Sequence, residues 1–514
     1  MNTLSIVTIL LMLFPCLVNA GEVNTALAKE NETATARFFS NLIETNDPNV
    51  AELTMALKMM PKGADIHIHY SGAIYAETYL DWVGDKGYCI YDRTDPKLKI
   101  EIFRIETRQK NQLPGENQQF CLEKSAVMAN NTFYRELLKV WSDKDFHNHY
   151  HEQKAPDQQF FDTFSYFSPL SHQILMDGMT KLKNRAKNEN VQYLEIMLNR
   201  APSFEYPELA KALDALGPDA DENTVFAALA PYADFMAKDP LVRKGISDYI
   251  QTEEAAVSGI DDDEFRIRLQ SYVVRNAPRA TVFSSLYSAF SAAHMSKKIV
   301  GVNIVGPENG YIAIRDYKLH MLMFRYLKRL FPDVRLSLHA GELVSGMVPP
   351  EDLANHIRYA VDIAGANRIG HGVDIAREEK AIALLQELRE KAIPVEINLT
   401  SNDFILGVRR NEHPIKLYQR YGVPFVISSD DPGVSRGDLT HEFVIFATNY
   451  KPSYAEIKKT VFNSIQYSFL SPEEKSAELQ DLRSRFLIYE SEIAGIEKAV
   501  NDRDINAVLN NQLN

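Results

Sequence analysis

What most constrains this chain is a rhythm in which eight short segments of strand character are each followed by a stretch with apolar residues at helical spacing. The strand segments fall at 64–69, 191–198, 265–274, 299–305, 334–338, 368–370, 394–399 and 424–428. Between them, stretches such as 316–330, 350–364, 376–391 and 413–421 keep apolar residues on one helical face, and several open near Asp, Pro or Glu. Strands rich in Val, Ile and Leu that alternate with helices pair in parallel with both faces covered, and eight such units close on themselves. The predicted fold class is therefore α/β, a (β/α)8 TIM barrel. An open doubly wound sheet would want a glycine-rich phosphate loop after a strand, and neither GxGxxG nor GxxxxGK[ST] stands there. At about 150 residues per domain, 514 residues suggest three domains, but a barrel of this kind runs past about 250 as one unit.

Three regions sit outside the repeat. Residues 21–60 are polar and helix-prone and predict an N-terminal helical extension. The connection between the first two strands is far longer than ordinary and predicts an inserted lobe at about 85–155 within a 61–514 barrel domain. After the last strand, 439–449, 454–467, 472–490 and 496–509 predict a helical C-terminal tail. Ahead of all this, residues 1–20 contain no Asp, Glu, Lys or Arg and hold an apolar run ending in Val18-Asn19-Ala20. That run predicts a signal peptide, hence a secreted or periplasmic protein, and it falls short of the ~20 residues that span a bilayer, so no stable membrane insertion is expected. Its removal leaves Cys89 and Cys121, which an oxidising compartment would join across a loop of 33 residues counted inclusively. The net charge of −13 opposes counterion release and excludes nucleic acid as the expected partner.

Four motifs fall at the carboxyl ends of strands, the face where barrels place their active sites. In His67-Ile68-His69, residues two apart point the same way, so both imidazoles can reach one metal. Ser337-Leu338-His339-Ala340-Gly341-Glu342 puts a His at the end of the fifth strand and a Glu on the following turn. In Ile369-Gly370-His371-Gly372, flanking glycines let the backbone approach a substrate while the imidazole projects into the mouth. Ser428-Ser429-Asp430-Asp431-Pro432 pairs two carboxylates after the eighth strand, an adjacency that a nearby cation would explain. A second alternating set, His147, His149 and His151, lies in the polar insertion without a carboxylate motif and reads as solvated surface. Singly each motif is weak. Three His and one Asp from strands one, five and eight converge only in a barrel mouth, where they make an open zinc site of the catalytic type. Strand four ends in Gly306-Pro307-Glu308, with no Lys at its tip to bridge a second ion, so one zinc per chain is expected.

In this order, HxH, HAGE, GHG and SSDDP resemble the adenosine deaminases of the amidohydrolase superfamily, over roughly residues 61–450. The leader, the Met60-Pro61-Lys62-Gly63 lead-in and the long first insertion look most like the secreted branch, the adenosine deaminase-related growth factors. The resemblance implies His67, His69, His339 and Asp430 as zinc ligands. Glu342 would be the proton donor to purine N1, His371 the residue that positions water with Asp430, Asp431 the partner of N7, and Gly306 the backbone contact to N3. The implied reaction is hydrolytic deamination of adenosine or 2'-deoxyadenosine to inosine or deoxyinosine and ammonia. The implied partners are a small purine nucleoside and a second copy of the chain, in a homodimer built partly from the N-terminal helices.

Two positions depart from the pattern. Tyr70-Ser71 stands where intracellular members carry a ribose-contacting Asp, and Asn398-Leu399-Thr400-Ser401-Asn402 replaces the usual Cys-Pro before Ser-Asn. Two alternatives stay open. One is a barrel amidohydrolase deaminating another aminopurine or a nucleotide, which would need basic residues near the mouth; Arg409 and Arg410, just past strand seven, read as solvated. The other is a secreted signalling or binding protein with a vestigial site, which should have lost a ligand or the acid, whereas all six positions are intact.

Overall fold

The computed structural model describes the backbone of residues 7–144 and 154–512 and the side chains of residues 25–144 and 154–499. Eight strands form its centre: β1 (Gly63–His69), β2 (Val191–Arg200), β3 (Arg266–Val274), β4 (Ile299–Val305), β5 (Ser337–Ala340), β6 (Arg368–His371), β7 (Val395–Ile397) and β8 (Phe425–Ile427). They pair in parallel and in chain order as two four-stranded arcs. Parallel bridges Val302–Leu336 and Ile68–Asp430 join the arcs at both seams, so the ring closes as the eightfold rhythm predicts. β5 lies further along the chain than the apolar run alone suggested. Its ladder with β6 continues through His339–Gly370 and Ala340–His371, which places His339 inside the strand.

The barrel interior carries a polar layer among its aliphatic residues. Arg368, on β6, is fully buried and pairs with Glu195 of β2 and Glu396 of β7. Its guanidinium lies 3.7 Å from the ring centroid of Phe469, whose backbone N–H donates to Glu195 at 2.8 Å. A buried charge persists only when paired, and here two carboxylates and an aromatic face surround it.

The insertion leaves β1 and builds a small antiparallel sheet from Cys89–Tyr91, flanked by Ile105–Glu106 and Cys121–Leu122. A disulfide joins Cys89 and Cys121, with Cα atoms 5.4 Å apart, and packs with Tyr91, Ile100 and Leu113 into a separate small core. The chain then returns to the barrel through the helix Pro156–Ser171, which opens on a Pro in its first turn and stacks Phe167 on Tyr79.

Helices Val7–Ile43 and Val50–Met59 precede β1, and Leu439–Tyr450, Tyr454–Gln466 and Pro472–Gln512 follow β8. The first and last are packed together: Arg37 pairs with Glu497 at 3.1 Å, and Thr35 Oγ1 donates to the carbonyl of Glu490. The spacing predicted two helices after residue 472, and the structure has one, because a lone Gly495 costs a helix only about 1 kcal/mol. Among the described residues, no helix is long and apolar enough to cross a membrane.

Candidate active site

Strand alternation sends His67 and His69 of β1 to the same side, where they meet His339 of β5 and Asp430, just past β8. Nε2 of His339 lies 3.1 Å from Nε2 of His67 and 3.3 Å from Nε2 of His69. Asp430 Oδ1 lies 3.4 Å from the first of these rings and 3.3 Å from the second. Gly370 makes the crowding possible, since a Cβ there would stand 2.8 Å from Cε1 of His67. Asp430 and His371 both hold positive φ, 60° and 67°, a backbone region that non-glycine residues adopt only under strain.

The donor set fits a divalent cation. His67 Nδ1 meets Glu396 Oε2 at 2.6 Å, and His339 Nδ1 meets Asn303 Oδ1 at 2.9 Å. Bound to such a cation, each imidazole would be neutral, spend its one N–H on that bond and turn its Nε2 lone pair toward the ion. Burial opposes a charge on His67, but Asp430 and Glu396 outweigh it and raise its pKa to about 10, so the rings 3.1 Å apart hold positive charge between them, as a proton or as a cation shared with Asp430.

Two further groups flank this cluster. His371 Nε2 stands 3.7 Å from Glu342 Oε1 and 3.8 Å from Asp430 Oδ2. Burial holds the His371 ring neutral, with its pKa down at about 4. Burial, aided by the neighbouring Asp430 and Glu308 charges, pushes the Glu342 carboxyl well above the ordinary carboxylate range. Burial and Asp430 push Asp431 the same way, and its Oδ1 has no hydrogen-bond partner. The backbone N–H of Glu342 donates to Glu308 Oε2 at 2.9 Å, which pins the turn after β5.

These groups open onto a cavity of about 430 Å³. Gly306, Asp431 and Ser71 line it, and Phe160, Phe161 and Phe164 of the helix Pro156–Ser171 form an apolar wall. Among the described residues, none that lines it is a Lys or Arg. Arg409 and Arg410 do not line it, and Arg409 faces Asp403 at 3.9 Å. His147, His149 and His151 lie outside the described residues.

Every residue that the motifs singled out for the site is thus at this one mouth. Sequence reasoning missed the aromatic wall, because Phe at helical spacing looks like core. It also missed His172, which lines the cavity and meets Asn199 Oδ1 at 2.9 Å, and the groups behind the rings. The available signal was a polar residue inside an apolar strand: Asn303 in β4 and Glu396 in β7.

A closed eight-stranded barrel with four metal-type donors at its carboxyl mouth defines a class, and its solved relatives agree on the fold. The Arabidopsis N6-mAMP deaminase superposes with a TM-score of 0.52 at 18% identity, covering 85% of this chain and 99% of that one. An amidohydrolase from Burkhoderia ambifaria, described with bound Zn, superposes with a TM-score of 0.51 at 15% identity, covering 88% and 98%. The family model described as adenosine deaminase matches residues 221–484, more than half of the chain, and the chain belongs to that family. Among curated relatives, the adenosine deaminase of Clostridium perfringens is 28% identical over 226 residues, 43% of this chain and 63% of its own. That of Escherichia coli is 31% identical over 181 residues, 35% of this chain and 49% of its own. The chain thus spans about half to two thirds of the length of these relatives.

Proposed function

We propose that the chain is a secreted, zinc-dependent adenosine deaminase of the growth-factor-related branch, acting on adenosine and 2'-deoxyadenosine. The observation that carries this reading is the convergence of His67, His69, His339 and Asp430, a buried Glu342 carboxyl and the unpartnered Asp431 Oδ1 on one cavity whose described lining holds no Lys or Arg. A free nucleoside is uncharged and fits such a lining. The phosphate of a nucleotide would find no Lys or Arg among the described lining residues.

His67, His69, His339 and Asp430 would hold one zinc per chain, and zinc, when bound, supplies a Lewis acid that lowers the pKa of water toward 7. Glu342, whose burial favours the protonated form, gives its proton to purine N1 and so makes C6 electrophilic. Asp431, whose burial favours the protonated form, donates to N7, a pure acceptor, and the Gly306 N–H serves N3. His371 and Asp430 orient the attacking oxygen between Nε2 and Oδ2. The Phe160, Phe161 and Phe164 wall covers the ring and excludes water, and ammonia and inosine or deoxyinosine leave.

The same reading assigns residues 1–20 to a cleaved leader, 21–60 to a helical extension that serves a homodimer, and 61–514 to the barrel with its insertion. Support for export is the uncharged apolar run ending at Ala20 together with the Cys89–Cys121 disulfide.

Loss of absorbance at 265 nm, followed for adenosine and deoxyadenosine beside AMP, adenine and guanine, tests the reading. Turnover of the two nucleosides alone is expected. Preferred turnover of AMP or a free base assigns the site to another aminopurine, and no turnover by zinc-loaded protein makes the site vestigial.

A further inference from the structure

A chain of buried hydrogen bonds runs from the loop after β7 to the far side of His371. It starts at the backbone N–H of Ile415, which meets Nδ1 of His413 at 3.2 Å. Nε2 of His413 meets Oδ1 of Asn402 at 3.1 Å, and Nδ2 of Asn402 meets Nδ1 of His371 at 3.0 Å. Nδ2 of Asn398 approaches the same His371 nitrogen at 3.4 Å. His413, Asn402, Asn398 and His371 are all buried.

The direction of this chain is fixed at its start, because a backbone N–H can only donate. Nδ1 of His413 therefore accepts, and burial keeps the ring neutral, with its pKa held down at about 3. A neutral ring that accepts at Nδ1 carries its proton on Nε2, so it donates to Asn402 Oδ1. The oxygen and nitrogen of that amide are thereby told apart, and its NH2 faces His371. Nδ1 of His371 accepts in turn, and the ring's only proton sits on Nε2, aimed at the space between Glu342 and Asp430. Asn402 is itself held in place: its N–H donates to Asn398 and its carbonyl accepts from Val408.

We infer that Asn402 and His413 are positioning residues that lock His371 in the Nε2–H tautomer, so that it enters the reaction as a hydrogen-bond donor to the attacking oxygen and neither as its base nor as a metal ligand. This rests on placing the reacting oxygen beside His371, as the proposed deaminase reaction does. A donor at Nε2 holds the oxygen and steadies negative charge that develops on it. An Nε2 lone pair would instead join the metal-facing lone pairs of His67 and His339, and the site would lose its orienting donor.

Imidazole 15N spectra of the zinc-loaded protein, with His371→Gln to assign the ring, read the tautomer directly. The expected spectrum has a protonated Nε2 and a bare Nδ1 at His371. Asn402→Asp offers an acceptor in place of the NH2 and should move the proton to Nδ1, with zinc content unchanged, kcat lower by about 100-fold or more and KM within about threefold. His413→Gln, whose amide can still donate to Asn402, should retain most of the activity that His413→Leu loses. A wild-type ring protonated on Nδ1, or one whose Nε2 signal shows metal coordination, overturns the inference. So does an Asn402→Asp variant with an unmoved proton. Because the spectra need no turnover, the expected tautomer in a protein inactive on every purine would uphold the relay and defeat the deaminase reading alone.

Discussion

Glu342 shows how one residue's surroundings set its chemistry. Its carboxyl is buried beside Asp430 and above Glu308, and all three influences favour the protonated form. With its pKa raised, Glu342 keeps its proton above the ordinary carboxylate range and gives it up as pH rises through the raised pKa. The proposed reaction should therefore decline as pH rises through that raised pKa. Glu342→Gln keeps a hydrogen-bond donor but has no acid proton, so kcat should fall by roughly 10²- to 10⁴-fold and that decline with pH should vanish. Steady-state pH–rate profiles of the two proteins, at matched zinc content, check both expectations.

Among the elements, the insertion has the most to test. The Cys89–Cys121 bond ties a sheet whose strands are only two or three residues long, too short to stand on hydrogen bonds alone. Closing a loop of this size contributes on the order of 3 kcal/mol. The Cys89→Ser, Cys121→Ser double variant should lose stability by about that amount, seen as an earlier urea transition. Its barrel should bind zinc as before, because no residue of the small sheet reaches the metal-type cluster.

The elements also show what the sequence reveals and what it hides. The β/α rhythm was legible because burial on both faces forces Val, Ile and Leu into short runs, and the HxH, HAGE, GHG and SSDDP residues because each sits where a strand stops. The β5 boundary was not, since a ladder extends wherever its neighbour offers partners, and Gly370 and His371 lie far away in sequence. The Arg368–Glu195–Glu396 layer was hidden for the same reason: each residue looks misplaced in its own strand, and only closure of the barrel brings the charges together.

For the whole molecule, buried histidines couple stability to acid. His320, on the helix Tyr311–Leu330, is buried and its Nε2 has no hydrogen-bond partner. Burial lowers its pKa to about 4, against the pull of Asp316 and with help from Arg275, Arg279 and Arg315. The unfolded chain takes up a proton near pH 6.5, but the folded chain waits until about pH 4. The contribution of His320 is therefore complete above pH 6.5 and is lost as pH falls through that window. His320→Leu should remove about 2 kcal/mol of the stability loss between pH 7.5 and pH 5, measured as the difference in urea midpoints at the two pH values.

The wall of Phe160, Phe161 and Phe164 belongs to the returning arm of the insertion, whereas the cluster it covers is built from the strand ends. Reactivity and admission are thus written in separate stretches of chain. A lineage could exchange the arm to accept a bulkier or more polar purine while inheriting its chemistry intact, and an engineer could graft it as a cassette.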